Sequence, residues 1–276
     1  FARLTTLGVG GTCRWLFEPT DMDQAEAFVR TCAQEQLPYR VLGGGSNLLV
    51  LGDVDEPVLR LRLPQELRRE GNRLRAPASF GHIRLSDASV EAGLAGYEHA
   101  CGIPGTCGGA LAMNAGANGR ELAEVLGEYT FLTPEGERVT RRPAPEDFGY
   151  RRSHLRHHGL GLELVLDLVP GDPETLKAQV EAYRRRRQTT QPIGIRNAGC
   201  IFRNPPGAHA GRLIEAAGLK GTRIGGAEVS PIHANFLVNA DSASPQAFQD
   251  LVHLVRERVA AQFGVTLELE VEVWSA

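Results

Sequence analysis

The residues best suited to carry out chemistry in this sequence surround Cys200. The segment Asn-Ala-Gly-Cys-Ile-Phe-Arg-Asn-Pro (197–205) places a thiol among small side chains and close to Arg203. Small neighbours leave a thiol reachable, and a nearby guanidinium lowers its pKa toward the reactive thiolate. A buried, inert cysteine in a strand fits the same residues, so the segment by itself leaves both interpretations open.

A second candidate segment, Phe-Gly-Tyr-Arg-Arg-Ser (148–153), combines aromatic side chains with two guanidinium groups. An aromatic in this position can stack on a ring while an arginine holds a carboxylate or a phosphate in a fork. Because arginine-rich loops are common, the motif is a weak indication by itself. A serine hydrolase of the nucleophile-elbow type is disfavoured, since the sequence contains no Gly-x-Ser-x-Gly.

A glycine cluster, Gly43 to Gly45, lies between apolar residues in segment 41–50. Dense glycines let a backbone approach a ligand closely, and phosphate is the commonest such ligand. In Rossmann and P-loop sites a helix begins directly after the glycines. Here the apolar run 48–51 indicates a short buried strand instead. We therefore predict a phosphate-binding turn between two strands, unlike either common nucleotide fold.

A second glycine-rich segment covers residues 101–119. Its backbone N–H groups are suited to wrap a large, flat or phosphorylated ligand. The alternative is a flexible linker, but Ile103, Pro104, Leu111 and Met113 favour an ordered loop. Two such segments about sixty residues apart suit an extended dinucleotide such as FAD between two lobes, with the flavin supplying redox chemistry.

Composition excludes several classes of protein. The net charge is −3 over 276 residues, which argues against a polyanion-binding surface, and the one basic block, 184–187, is placed to end a helix. The five cysteines lack metal-ligand spacing, so we expect no metal site and reduced thiols in a cytoplasmic protein. The sequence shows neither a membrane-length apolar run nor a secretory pattern. We therefore expect no nucleic acid and no membrane as partners.

Hydrophobic periodicity predicts a mixed α and β chain. The predicted helices cover residues 21–36, 85–99, 173–187, 210–217 and 245–263. The predicted strands cover residues 13–17, 37–42, 58–63, 74–76, 129–132, 163–168, 236–238 and 265–274. The last of these alternates strictly, with Glu268, Glu270 and Glu272 on the face opposite its valines and leucines. A face of three carboxylates is usually just the solvent side of a strand.

Taken together, these segments resemble the UDP-N-acetylenolpyruvoylglucosamine reductases, which complete UDP-N-acetylmuramate for peptidoglycan. The resemblance is collinear and spans nearly the whole chain. The segments that carry it are 43–47, 102–106, 108–110, 113–116, 149–151, 198–205, 233–236 and 267–271. Each is weak alone, but the ordered set is highly specific.

This resemblance implies an α+β protein. A two-lobed FAD-binding domain of the vanillyl-alcohol-oxidase type would occupy residues 1–56 and 57–189, and a C-terminal α+β substrate-binding domain residues 190–276. FAD would be bound non-covalently and reduced by NADPH. After NADP leaves, UDP-N-acetylglucosamine enolpyruvate would take its place, receive hydride at the β-carbon and be protonated at the α-carbon. The resemblance further implies a monomer.

Site residues transfer from the family position by position. The resemblance implies Arg151 at the substrate carboxylate, Glu270 acting with it on the enol, and Cys200 as the proton donor. The implied substrate contacts are Tyr150, Arg203 and Asn204. The implied FAD contacts are Gly43, Gly44, Gly45, Ser46, Asn47, Gly102, Ile103, Pro104, Gly105, Gly108, Gly109, Ala110, Asn114 and Gly116.

Two departures from the family pattern stand out. Cys200 occupies a position that is serine in most members, and a thiol with an ordinary pKa of about 8.5 remains a usable acid at neutral pH. Only about fifty residues separate Tyr150 from Cys200, which resembles the short members without an inserted tyrosine loop. Two other functions stay open: a flavin oxidase of the same fold, and a nucleotide-sugar or nucleic-acid binding module without redox chemistry.

Overall fold

The computed structural model describes residues 1–275, and within them every side chain except that of His157. The helices are α1 (Met22–Gln34), α2 (His82–Glu91), α3 (Cys107–Met113), α4 (Leu155–His158), α5 (Pro173–Thr190), α6 (Ala210–Ala216) and α7 (Pro245–Phe263). The strands of the first half are β1 (Leu16–Phe17), β2 (Arg40–Val41), β3 (Leu48–Val50), β4 (Val58–Leu59), β5 (Arg68–Glu70), β6 (Arg73–Pro77), β7 (Leu94–Ala95), β8 (Gly116–Ala117), β9 (Arg120–Glu121) and β10 (Leu126–Leu132). Those of the second half are β11 (Arg138–Arg141), β12 (Phe148–Gly149), β13 (Arg152–Ser153), β14 (Leu160–Asp167), β15 (Val169–Pro170), β16 (Arg196–Cys200), β17 (Arg223–Ile224), β18 (Ala227–Val229), β19 (Phe236–Asn239) and β20 (Glu272–Trp274).

The chain folds into two units, each with its own core. The larger unit consists of residues 15–44 and 56–186, and the smaller unit of residues 1–14, 45–55 and 187–276. The sequence-based segments 1–56, 57–189 and 190–276 divide the chain differently, because residues 1–14 and 45–55 pack with the C-terminal part. Across residues 1–275, no helix combines the length and apolar character that a membrane span needs.

A five-stranded antiparallel sheet, in the order β11-β10-β14-β6-β5, is the centre of the larger unit. Its two longest strands, β10 and β14, are buried along most of their length, and their leucine, valine and aromatic side chains supply much of the core. Helix α3 packs on this sheet, and its Leu111 shares a core cluster with Leu74 and Leu164. The sheet is therefore the foundation on which the second glycine-rich segment rests.

A small parallel sheet, β1-β4-β2, lies beside helix α1 in the same unit. Helix α1 begins where the side chain of Asp21 accepts a hydrogen bond from the N–H of Gln24, a typical N-cap. Its apolar stripe, Ala25 and Val29, is completely buried against a cluster that includes Leu59. The predicted helix and the strand leading into the first glycines are thereby confirmed, with shorter bounds.

The smaller unit is built on a four-stranded antiparallel sheet, β16-β19-β18-β17, covered by α7. The predicted bounds of α7 are confirmed: Ser244 caps its start by accepting from the N–H of Ala247, and Gly264 ends it with φ +68°. Phe248 and Val255 of α7 are fully buried in the core of this unit. The unit also contains a parallel pair formed by β20 and β3.

The long C-terminal strand predicted for residues 265–274 is wrong as a single strand. Only 272–274 form a strand, paired with β3, while Leu269 makes an isolated bridge to Phe202. The segment changes partners part-way along, because its first half bonds to residues 201–203 and its second half to residues 47–50. The predicted alternation of burial holds only in part. Leu267 and Val271 are buried and Glu268 is exposed, but Val265, Leu269 and Val273 are only partly buried, and Trp274, which the alternation places on the other face, is buried.

Two further predictions need correction. The helix predicted for 85–99 ends at Glu91, because Gly93 (φ +67°) and Gly96 (φ +123°) adopt left-handed backbone that stops a helix. The segment 101–119, predicted to be a loop, contains helix α3. Thr106 caps that helix by accepting from the N–H of Gly109, and the residues that follow it include good helix formers.

Candidate active site

The two glycine-rich segments meet in the larger unit, although some sixty residues separate them in sequence. A Cβ atom added to Gly44 would lie 2.6 Å from the Cα of Gly105, and one added to Gly43 would lie 3.0 Å from the Thr106 hydroxyl oxygen. Gly105 itself has φ +117°, a conformation that side chains with a Cβ rarely adopt. The glycines are therefore required by the close approach of the two backbones.

Unused backbone donors accompany this junction. In the described part of the chain, the N–H groups of Gly43, Gly44 and Thr106 make no hydrogen bond to the protein. A buried or half-buried N–H group needs an acceptor, and a phosphate oxygen is a suitable one. The residues at this junction thus fit the pyrophosphate of a dinucleotide such as FAD.

The glycines of α3 have different roles. The N–H of Gly108 donates to the carbonyl of Ala78 at 2.7 Å, and a Cβ added to Gly108 would lie 3.0 Å from that of Ala78. At Gly109 the nearest atom to an added Cβ is the Thr106 hydroxyl oxygen at 3.6 Å. Gly108 therefore allows the helix to pack closely on the sheet, whereas Gly109 leaves its surroundings more open.

Asn114 ends α3 in a left-handed conformation (φ +44°) and is almost completely buried. Its amide nitrogen donates to a carboxylate oxygen of Glu121 at 2.7 Å and to the carbonyl of Gly149 at 3.0 Å. Its side-chain oxygen accepts from the N–H of Ala123. The side chain connects three loops of the larger unit, and its direct contact with FAD stays a prediction.

Arg151 lies at the tip of the hairpin formed by β12 and β13, with a left-handed backbone (φ +53°). Its guanidinium donates to the carbonyl of Gly116 at 2.8 Å and lies 3.5 Å from a carboxylate oxygen of Glu121. The same guanidinium lies 5.2 Å from the ring centre of Tyr150, which is 54% exposed. The structure thus brings three of the predicted site residues, Arg151, Gly116 and Tyr150, into contact in the larger unit.

In the smaller unit, the end of the first glycine segment is held from two sides. A Cβ at Gly45 (φ +63°) would collide with the carbonyl oxygen of Leu4. Asn47 donates from its side chain to the carbonyl of Glu270 at 3.2 Å, and its own carbonyl accepts from the N–H of Glu272 at 3.0 Å. Asn47 therefore fixes the backbone on both sides of Val271, a role that its sequence position did not reveal.

Cys200 is the last residue of β16 and lies just after a β-bulge. Strand β16 pairs with β19 at Asn197 and again at Cys200, and the register shifts between these two points. Gly199 makes the bulge with φ +78°, and its N–H donates to the side-chain oxygen of Asn197 at 3.0 Å. A bulge re-aims the side chains that follow it. Cys200 is partly exposed and, like the other four cysteines within residues 1–275, is not in a disulfide.

Glu270 lies where the C-terminal segment changes partners. Its N–H donates to the carbonyl of Ile201 at 2.8 Å, and its carbonyl accepts from Asn47. Ile201 is the residue after Cys200, so the structure places the candidate acid and the candidate carboxylate on adjacent paired segments. Both side chains are partly exposed, as a group that acts on a ligand must be.

Arg203 and Asn204 follow in the same segment. The Arg203 guanidinium is 3.9 Å from a carboxylate oxygen of Glu268, a long ion pair, and its buried Nε has no hydrogen-bond partner among the described residues. The side-chain oxygen of Asn204 accepts from the N–H of Ala210 at 3.0 Å, which leaves its amide group to donate. Both residues therefore retain donor capacity suited to an anionic or carbonyl-bearing ligand.

Two clusters of hydrogen-bonded side chains around buried residues of the larger unit were not predicted from the sequence. Asp147 binds Tyr129 and Arg141 at the base of the Arg151 hairpin. His82 and Tyr97 are hydrogen-bonded to each other beneath the second glycine segment. Their partners are distant in sequence and lie on neighbouring strands or turns, so no local spacing could have indicated them. Among the side chains that the structure describes, no three or more potential metal ligands form a cluster.

Comparison with known proteins identifies the domains. Residues 14–141 match the family model described as "FAD binding domain". Residues 191–274 match the one described as "UDP-N-acetylenolpyruvoylglucosamine reductase, C-terminal domain". The predicted α+β architecture, an FAD-binding domain followed by a separate C-terminal domain, is thereby confirmed.

Relatives match over nearly the whole chain. The UDP-N-acetylenolpyruvoylglucosamine reductase of Alkalilimnicola ehrlichii is 44% identical, over 99% of this chain and 92% of the relative. Reductase 2 of Symbiobacterium thermophilum is 40% identical, over 99% of this chain and 89% of the relative. The crystal structure of the Thermus caldophilus reductase has a TM-score of 0.85 at 38% identity and covers 99% of this chain and 96% of that one. By sequence and by fold, the chain belongs to the family of UDP-N-acetylenolpyruvoylglucosamine reductases.

Proposed function

We propose that this protein uses NADPH to reduce UDP-N-acetylglucosamine enolpyruvate to UDP-N-acetylmuramate. Bound FAD supplies the hydride transfer, from NADPH to the β-carbon of the enolpyruvyl ether. The observation that carries the proposal is the hydrogen bond from Glu270 to Ile201, which places a carboxylate beside the segment of Cys200. A flavin oxidase has no need of a paired thiol and carboxylate.

The backbone donors at the glycine junction would hold the FAD pyrophosphate. The N–H groups of Gly43, Gly44 and Thr106 lack protein acceptors in the described chain. Helix α3 is fixed beneath them by the bond from Gly108 to Ala78. The donors are thus preorganised, and little conformational entropy is lost when the cofactor binds. The other residues that the family resemblance assigns to FAD are carried forward as part of this proposal.

Arg151 binds the carboxylate of the enolpyruvyl group and stabilises the negative charge that develops when hydride arrives. Charge appears there only as the reaction proceeds, so a guanidinium held in place beforehand favours the transition state over the bound substrate. Its bond to Gly116 occupies one of five donors and fixes its direction. Tyr150, Arg203 and Asn204 orient the rest of the substrate.

Cys200 donates the proton from its Sγ to the α-carbon, and Glu270 acts on the enol. The β-bulge at Gly199 directs the Cys200 side chain, and its partial exposure supports contact with a ligand. Glu268 pairs with Arg203 at 3.9 Å in the segment that follows Cys200. A general acid needs the protonated thiol, which is the form that an ordinary cysteine mostly adopts at neutral pH.

We further propose that the protein works in the cytoplasm as a monomer, without nucleic acid or membrane partners. The reduced state of all five cysteines in the described chain supports a reducing compartment. The net charge of −3 supports the absence of polyanionic partners.

An anaerobic two-step experiment tests the proposed function. The purified yellow protein is bleached with NADPH, and UDP-N-acetylglucosamine enolpyruvate is then added while the flavin absorbance is followed. We expect prompt return of the colour without oxygen and formation of UDP-N-acetylmuramate. Colour that returns only on admission of air would refute the proposal in favour of a flavin oxidase, and a colourless protein without bound flavin would refute both.

A further inference from the structure

An ionic cluster around the buried carboxylate of Asp147 closes the hairpin that carries Arg151. Strands β12 and β13 pair through Phe148 with Ser153 and Gly149 with Arg152. Beyond this pairing, the N–H of His154 donates to the carbonyl of Asp147 at 2.9 Å. Asp147 and His154 therefore form the base of the hairpin, and Tyr150 and Arg151 form its tip.

The carboxylate of Asp147 is 5% exposed and bound on every side. One oxygen accepts from the Tyr129 hydroxyl and from the N–H of Ala144, both at 2.9 Å, and the other accepts from the Arg141 guanidinium at 2.5 Å. Arg141 also donates to the Tyr129 oxygen at 2.8 Å, which completes a triangle. Burial opposes ionisation of Asp147, but these hydrogen bonds and Arg141 lower its pKa below the ordinary value.

This triangle ties the hairpin to the central sheet. Tyr129 of β10 and Arg141 of β11 face each other in the antiparallel ladder, and Tyr129 is fully buried. The His154 ring packs against Phe131 and Phe148 at centroid distances of 5.5 and 6.5 Å, and its Nδ1 lies 3.5 Å from Asp147. The two residues at the base of the hairpin are thus held against the sheet. Asp147 binds Tyr129 and Arg141 directly, and His154 lies beside the Asp147 carboxylate.

The tip of the hairpin needs such support. Arg151 has φ +53°, a left-handed conformation that is strained for a residue other than glycine. Such a conformation persists only where the surroundings enforce it. The contacts of Arg151 with Gly116 and Glu121 hold the guanidinium, but the path of the backbone is set at the base.

We propose that Asp147 is a positioning residue for Arg151, acting through Tyr129 and Arg141. The inference rests on the role proposed above for Arg151 at the substrate carboxylate. Asp147 does not touch the substrate: it fixes the hairpin so that the guanidinium meets the developing charge without rearrangement. A small misplacement of such a group is enough to slow a reaction by about 10- to 100-fold.

The test compares Asp147→Asn and Tyr129→Phe with Asp167→Asn as a matched control. In Asp147→Asn the new amide would present an NH₂ group where an oxygen now accepts, whereas Tyr129→Phe keeps the ring in the core and removes only its hydroxyl. Asp167 forms an exposed pair with Arg73 at 2.8 Å between strands β14 and β6 of the same sheet, and neither residue bonds to Asp147, Tyr129 or Arg141. All three holoenzymes are measured by amide hydrogen exchange over residues 148–154 and by the two half-reactions in stopped flow.

For Asp147→Asn we expect exchange over 148–154 to be at least about fivefold faster. In the same variant, reoxidation of the reduced flavin by the enolpyruvyl ether should be at least about tenfold slower than in wild type. The rate of flavin reduction by NADPH should stay within about twofold of the wild-type rate. Tyr129→Phe should move in the same direction by less. The inference is overturned if either exchange or reoxidation in both variants equals that of Asp167→Asn, or if both half-reactions slow equally. If the enolpyruvyl ether does not reoxidise the reduced flavin of the wild-type protein, the proposed function is wrong, and this inference fails with it.

Discussion

The main-chain N–H of Glu270 donates to the carbonyl of Ile201 at 2.8 Å, so this carboxylate-bearing residue is paired one position away from Cys200. The two lie about seventy residues apart in the chain. The C-terminal segment brings them together because it pairs with residues 201–203 before it joins β3. This pairing joins the proposed proton donor and the proposed carboxylate in one rigid frame.

Substitutions of Cys200 test the proton donor. Cys200→Ser should keep most of the activity, because a hydroxyl of similar size can donate a proton at the same place. Cys200→Ala should leave flavin reduction by NADPH unchanged and slow substrate reduction by about 10²- to 10⁴-fold, the usual contribution of a general acid. Stopped-flow absorbance of the flavin separates the two steps. Normal turnover by the alanine variant would remove the assignment.

Glu270→Gln tests the carboxylate, with Glu272→Gln as its matched control from the same face of the C-terminal segment. We expect Glu270→Gln to slow reoxidation by the substrate about 100-fold and to leave reduction by NADPH intact. Glu272→Gln should react like wild type, since Glu272 lies in the part of the segment that pairs with β3 and not beside the segment of Cys200. Equal rates for both variants would show that the segment has only a structural role.

Gly44→Ala tests the junction of the glycine segments. The new Cβ would lie 2.6 Å from Gly105, and both partners are backbone, so the two segments must separate. We expect a protein that folds but retains little FAD, measured by the ratio of flavin to protein absorbance and by FAD titration of the apoprotein. In the control, Gly81→Ala, the new Cβ meets only the flexible Arg84 side chain at 3.3 Å. Full flavin content in Gly44→Ala would contradict the predicted contact.

The two buried histidines beneath the second glycine segment predict a loss of stability in acid. Burial lowers the pKa of His82 and of His99 from 6.5 to about 4. For each, the unfolded chain binds a proton between pH 6.5 and 4 while the folded protein does not. Their stabilising contribution is therefore complete above pH 6.5 and is lost as pH falls through this window, at up to about 1.4 kcal/mol per pH unit for each group.

Urea unfolding at a series of pH values from neutral down to the folded-state pKa measures this slope. His99→Gln should make the dependence of the unfolding free energy on pH less steep, because it removes one of the two neutral buried rings. The charges near His99, those of Arg120, Glu124 and Glu98, remain in this variant. His253→Gln is the control, since this histidine is 72% exposed and pairs with Glu257 on the surface of α7. A slope that is identical in wild type and both variants would show that the buried rings are protonated in the folded protein.

Part of the fold could be predicted from local pattern and part could not. Helix α7 has clear signals at both ends, Ser244 with Pro245 and then Gly264, and its bounds were predicted correctly. Alternation correctly predicted the burial of Leu267 and Val271, but neither the burial of Trp274 nor the change of partners near Glu270. Partner exchange depends on distant residues such as Asn47, which local periodicity does not encode.

The same distinction applies to the candidate site. The glycine segments and the Arg151 motif were visible because each is a continuous stretch of sequence. Helix α3 had a visible signal, Thr106 before a helix-forming run, but the density of glycines favoured a loop. The role of Asp147 could not be predicted, because it depends on contacts with Tyr129 and Arg141. The pairing of β10 with β11 brings these two residues together.

The bulge at Gly199 makes the location of the thiol depend on spacing more than on chemical identity. One extra residue lies between the two points at which β16 pairs with β19, and side chains alternate between the faces of a strand. Deleting Gly199 would remove the extra residue, so the side chain that follows would still oppose Phe236, but in a regular strand without the local bend and twist that the bulge adds. The direction of the side chain at position 200 therefore depends on the extra residue before it, whether that side chain carries a thiol or a hydroxyl.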